Sequence, residues 1–98
     1  MIDLHPTTED KRRRSAAVAR ALADPKRLCV LESLAAGEVS VGELASRVSC
    51  QVPNMSQHLA VLRSAGLVTA RRDGNTVYYS LADPRVLEAC QLLQAIAR

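Results

Sequence analysis

From Val39 to Leu81 the chain carries, without a gap, a capped helix, a short turn, a second helix with a polar outer face and a hairpin with arginines at its tip. Val39-Ser40-Val41-Gly42-Glu43-Leu44 combines a Ser-x-x-Glu capping box with a hydrophobic staple of Val39 against Leu44, which sets the entry angle of a helix running to about Val48. A turn at Ser49 to Gln51 follows, with Cys50 where a helix-turn-helix buries a small hydrophobe. The next helix starts near Pro53 and stops at Gly66. At about 100° per residue, Met55, Leu59 and Leu62 share one face, whereas Pro53, Gln57, Ala60 and Ser64 point away from it and Asn54 lies on the flank. An outer face of small and amide side chains, without the Lys/Glu pattern of a solvated helix, suits a DNA major groove. Leu67 to Arg72 and Thr76 to Leu81 read as strands around Asp73-Gly74-Asn75, where Gly and Asn accept positive φ. This order is that of a winged helix-turn-helix, with residues 40–65 as the helix-turn-helix and 67–81 as the wing.

Charge follows the same division. The net +3 of the chain is carried between Leu44 and Leu81, by Arg47, Arg63, Arg71 and Arg72 against Asp73, while the flanking segments each sum to zero. An excess placed on the part that would face phosphate is the footprint of a DNA binder. The candidate DNA-contacting residues are therefore Gln51, Pro53, Asn54, Ser56, Gln57, His58 and Arg63 of the helix-turn-helix, with Arg71, Arg72 and Asn75 at the tip of the wing. Lys11 to Arg14 form a basic run beside Glu9 and Asp10, and read as a solvated helix face.

The flanks read as helices. Thr8 is placed to cap the first, and Asp24-Pro25 starts a second that ends at Gly37. The string Leu-Ala-Asp-Pro recurs at Leu81 to Pro84 and starts the last helix, whose stripe of Val86, Ala89, Cys90, Leu93, Ile96 and Ala97 is more apolar than a small domain needs. Residues 8–23 and 83–98 are assigned as dimerisation helices, and residues 1–7 as a loose tail. Within one domain over 1–98, the fold expected is mainly α with a β-hairpin wing, in the order α-α-α-α-β-β-α, assembled as a homodimer. Without Phe or Trp, and with Tyr78 and Tyr79 as its two aromatic residues, the core must be built from Leu, Val and Ala.

Other functions find little support. No nucleophile, base and orienting group come together in the sequence, and there is no Gly-rich phosphate loop, so an enzyme is not expected. No apolar run approaches the roughly 20 residues that span a bilayer, and Met1 to Pro6 leads into charge, so a cytoplasmic protein without membrane partners is expected. His5 with Asp3, Glu9 and Asp10 is the nearest approach to a metal site, and scattered carboxylates on a terminus read as solvated; no metal or other cofactor is assigned. A winged helix used for protein interaction, without an inducer site, is the alternative.

Ser40 to Leu44, Met55-Ser56-Gln57-His58-Leu59, Leu62 to Val68 and Arg71 to Tyr79 together resemble the ArsR/SmtB family of bacterial repressors, and the likeness runs from Ala21 over nearly the whole chain. The resemblance implies a homodimer joined by its first and last helices, which represses an operon until an inducer weakens binding to an inverted-repeat operator in double-stranded DNA. It also implies that Ser56, Gln57 and His58 lie in the recognition helix. Two cysteines mark the third helix of metal-sensing relatives, where this chain has Ser40 and Gly42, and the Asp-x-His start of the last helix in zinc-type relatives is replaced by Asp83-Pro84-Arg85. The chain thus resembles the non-metal or thiol-responsive branches. Cys29 and Cys90 are the candidate thiol sensors. Cys29 projects away from the apolar face of the second helix, and the family architecture sets that helix beside the last, so an oxidant or reactive sulfur species could link the pair, with Arg27 favouring the thiolate.

Overall fold

In a computed structural model, which describes residues 7–97, the chain forms five helices and three strands in the order α1 (Thr8–Ala21), α2 (Pro25–Ser33), β1 (Val39–Ser40), α3 (Val41–Val48), α4 (Val52–Ser64), β2 (Val68–Asp73), β3 (Thr76–Leu81) and α5 (Arg85–Ile96). The helix order and the hairpin agree with the expectation. The expected loose tail, apart from Thr7, and His5 with Asp3 fall on residues 1–6, outside the described residues, whereas Glu9 and Asp10 lie in the first turn of α1.

Local chemistry places the helix ends, with instructive shifts from the sequence reading. Thr7, rather than Thr8, caps α1: its hydroxyl accepts from the Asp10 backbone N–H while the Asp10 carboxylate accepts from the Thr7 N–H, a complete capping box. At α2 the Asp24 carboxylate accepts from the N–H groups of Lys26 and Arg27, and Pro25 takes the first helical position. The helix closes at Ser33, before Gly37, because the chain turns through Leu34 to Ala36 and Gly37 then takes a φ of 137°. The second Leu-Ala-Asp-Pro string behaves differently. Pro84 is itself near-helical, the first turn is tightened by Val86 N–H to Asp83 C=O, and the Asp83 carboxylate is shared between the Arg85 backbone and its guanidinium.

β1 is not apparent in the sequence reading, which ended the sheet at a hairpin. Val39 and Ser40 pair antiparallel with Tyr79 and Tyr78, giving a three-stranded sheet in the order β1-β3-β2. Two residues are too few to show an alternating pattern, and their pairing depends on partners about forty residues away. In the hairpin, Asp73 faces Thr76 across a two-residue loop, and Gly74 alone takes positive φ (62°), so Asn75 is not required to. Gly in the first central position is the arrangement whose twist suits paired strands.

The core is aliphatic, as the composition demands. Val30 and Leu31 of α2, Leu34 at its C-cap, Leu44 of α3, and Met55, Leu59 and Leu62 of α4 are fully or almost fully buried, and Tyr79 and Leu81 pack onto this cluster from β3. α5 closes it with Val86 and Cys90. Those two residues therefore belong to the protomer's own core, not to an outward stripe; the large apolar residues that α5 leaves exposed are Leu92, Leu93 and Ile96.

Candidate nucleic-acid interface

The helix-turn-helix is held by a small number of backbone decisions. Ser40 Oγ accepts from the Glu43 N–H, so half of the expected capping box forms, while the Glu43 carboxylate turns along the helix to Arg47 at 2.8 Å. Ser49 ends α3 in the left-handed conformation (φ 57°), which reverses the chain within one residue, and Cys50 N–H then bonds Ala45 C=O. Cys50 is half-buried against the core with its thiol directed to Gln51 C=O, in keeping with a packing role. Gln51 precedes α4 without capping it through its side chain, and Pro53 occupies the first turn.

Burial of Met55, Leu59 and Leu62 orients α4, and Pro53, Asn54, Ser56, Gln57 and Arg63 are exposed as a result. Four of the predicted contacts, Gln51, Asn54, Gln57 and His58, line one polar cleft of about 540 Å³ together with Lys26, Ser49 and Cys50. Lys26 is absent from the sequence reading. Its ammonium donates to Ser49 C=O at 3.2 Å, placing a cation from α2 beside the start of α4, and no local pattern around Lys26 signals this. His58 is half-buried, and its Nδ1 lies 3.3 Å from Nη1 of Arg27.

Arg71 and Arg72 differ in ways their adjacency hides. The Arg71 guanidinium donates twice to Glu38 and lies 4.9 Å from the centre of the Tyr78 ring, so it is folded back over the sheet. Hydrogen bonding to Arg71 holds the Glu38 carboxyl below its ordinary range, and the same bond raises the arginine. Arg72 and Asn75 are exposed and make no side-chain hydrogen bond or ion pair among the described residues. The wing residues and Arg63 lie outside the cleft at α4.

The two candidate sensor thiols occupy unlike surroundings. Cys29 is half-buried on α2 and packs against the core, so the position is not without an apolar explanation. Cys90 is buried on α5; burial first, and the Glu32 carboxylate second, push its thiol up, which disfavours the thiolate. The clefts beside Cys90 are lined by Leu28 and Glu32 of α2 and by Ala35 in the turn after it, and Glu32 accepts a hydrogen bond from Gln94. Arg27, expected to favour the Cys29 thiolate, instead donates to the carbonyls of Arg20 and Ala21. Among the described residues no three His, Cys, Asp or Glu side chains gather as a metal site.

A family model described as a helix-turn-helix domain matches residues 22–71. The chain is 38% identical over 91 residues to the biofilm growth-associated repressor of Agrobacterium fabrum, covering 93% of this chain and 78% of the relative. It is 40% identical over 96 residues to the nodulation protein NolR of Rhizobium meliloti, covering 98% and 79%. Among solved structures, NolR from Sinorhizobium fredii superposes with a TM-score of 0.81 at 38% identity, over 98% of this chain and 96% of that one. A homodimeric winged helix-turn-helix DNA-binding domain from Mycobacterium bovis, described as a possible ArsR-family transcriptional regulator, gives 0.84 at 33% identity, over 98% and 89%.

Proposed function

Because this chain belongs to the ArsR/SmtB family of winged helix-turn-helix transcriptional regulators, we propose that it is a homodimeric repressor that binds an inverted-repeat operator and leaves it on an inducing signal. It works by binding DNA and not by catalysis. The observation that carries this reading is the cleft at α4, where Gln51, Asn54, Gln57 and His58 stand together beside Lys26. Amides pair with adenine edges in the major groove, while Lys26, Arg63 and Arg72 supply phosphate contacts that fix register without reading sequence, and Arg71, held by Glu38, adds its charge to the wing.

Dimerisation falls to α5 with α1. Leu92, Leu93 and Ile96 form an exposed apolar patch at the end of α5, and a two-fold axis through it would set two recognition helices roughly 34 Å apart, one DNA turn. Such a protein acts in the cytoplasm with its DNA, and among the described residues no helix is long and apolar enough to cross a membrane. For the inducing signal, thiol oxidation or persulfidation at Cys29 and Cys90 is supported by their places on two helices that pack together. Leu28 and Glu32 of α2 line a cleft with Cys90 and Cys29 does not, so a link between the two thiols would draw α2 and α5 together, which is how it would disturb the reading head.

The test is to enrich a randomised pool of 30-base-pair duplexes on the protein and to measure binding of the winners by fluorescence anisotropy across a salt series. A steep fall of log affinity with log salt and an enriched inverted repeat are expected. No enrichment, or binding indifferent to salt, would instead favour a winged helix that docks protein.

A further inference from the structure

Arg27 is the third helical residue of α2, and its guanidinium is directed away from solvent, with the side chain only 16% exposed. All three of its nitrogens are used. Nε donates to Ala21 C=O at 2.7 Å and Nη2 to Arg20 C=O at 3.0 Å, so the cation caps the last carbonyls of α1, where the helix dipole favours positive charge. Nη1 faces His58 Nδ1 at 3.3 Å and lies 4.0 Å from the Asp24 carboxylate. One side chain therefore joins the end of α1, the start of α2 and the middle of α4.

Guanidinium can only donate, so this contact is a hydrogen bond when His58 Nδ1 accepts, which places the ring proton on Nε2. A second proton on the ring would set donor against donor at Nη1. The charged and titratable groups around the imidazole are Arg27, Asp24 and Lys26 from α2 and Cys50 from the turn.

Building on the DNA-binding reading above, we infer that Arg27 is a positioning residue for operator recognition: it holds His58 as the Nε2–H tautomer and locks α4 to the end of α1. The recognition helix is then registered against a helix assigned to the dimer scaffold, and the spacing of two reading heads depends on a contact that touches no DNA. Arg27 makes an informative target because Lys at this position keeps the charge beside the α1 carbonyls but offers a single nitrogen in place of a fork.

The experiment compares the wild type with Arg27→Lys and Arg27→Gln. Histidine tautomers are read by long-range ¹H–¹⁵N correlation at neutral pH, and duplex binding by anisotropy with the enriched 30-base-pair probe. The wild-type His58 is expected as the Nε2–H tautomer, and both variants as a mixture of tautomers. Affinity should fall roughly five- to tenfold with dimer mass and the salt slope unchanged. If one variant fails to fold, the wild-type tautomer and the other variant still decide the matter. A wild-type His58 that is cationic or protonated on Nδ1, or Arg27→Lys binding as tightly as wild type, would overturn the inference. A salt slope shallower by about one would also overturn it, by making Arg27 a phosphate contact. Failure of the wild type to bind any duplex, with the tautomer as expected, would count against the DNA reading alone.

Discussion

Arg71 on β2 reaches across the central strand β3 to Glu38, the residue that leads into β1, and the Tyr78 ring lies beneath its guanidinium at 4.9 Å. The wing is thereby tied to the segment that precedes the helix-turn-helix. Both partners are substantially exposed, so the pair acts on the direction of Arg71 more than on stability. Replacing Glu38 by Gln should release the arginine toward phosphate and steepen the salt slope of DNA binding by about one, whereas Arg72→Ala should make it shallower by about one for every duplex alike. Slopes from anisotropy titrations at four salt concentrations distinguish these outcomes; an unchanged slope in Arg72→Ala would remove it from the interface.

Gln57 is exposed on α4 within the polar cleft. Gln57→Ala is expected to cost about 1–3 kcal/mol of operator binding and to relax base preference at one position of each half-site. Repeating the duplex enrichment with the variant checks this, since loss of affinity without a change in the enriched sequence would make Gln57 a backbone contact.

Leu92, Leu93 and Ile96 are 64%, 44% and 75% exposed on the last turns of α5, an apolar patch that a partner protomer would cover. Leu93→Glu or Ile96→Glu should yield a folded monomer by analytical ultracentrifugation, with specific DNA binding lost because the two half-sites are no longer read together. A wild type already monomeric at micromolar concentration would sink the dimer model.

Asp24 sets the acid limit of α2. Burial works to raise its carboxyl, but the backbone N–H groups of Arg27 and Lys26, with the nearby Arg27 guanidinium, outweigh it and hold the group below its ordinary value. A carboxyl lowered by folding contributes stability above its unfolded value, and that contribution disappears as pH falls through the folded one. Asp24→Ala should cost about 1 kcal/mol at pH 7 and flatten the loss of thermal stability expected on acidification below the ordinary carboxylate range. Melting curves of both proteins between neutral and strongly acidic pH test this; parallel curves would mean that Asp24 does not carry the acid sensitivity.

In the reduced protein, Cys90 is buried with its thiol pushed up, whereas Cys29 is only half-buried. Alkylation followed by mass spectrometry should therefore label Cys29 before Cys90. After peroxide or a persulfide donor, a Cys29–Cys90 crosslink and weakened DNA binding are expected in the wild type and absent from Cys29→Ser and Cys90→Ser; unchanged binding after treatment would leave the inducer to be sought elsewhere.

The helices, their approximate ends, the hairpin and the exposed face of α4 could be read from the chain alone, because each rests on near-neighbour chemistry: Asp24 before Pro25, Ser40 before Glu43, Gly74 between Asp73 and Asn75, and Met55, Leu59 and Leu62 at helical spacing. Family membership was legible for the same reason, since its motifs are short and contiguous. Tertiary structure alone decided the features that need partners from distant positions. β1 exists because Val39 and Ser40 meet β3, Val86 and Cys90 face inward because α5 closes the core, and Lys26 joins the cleft through Ser49. It also separated two neighbouring arginines that look alike in sequence, turning Arg71 back to Glu38 while Arg72 stays exposed. Helical periodicity tells which side chains share a face, but an ion pair or a strand pairing depends on what folding brings to that face.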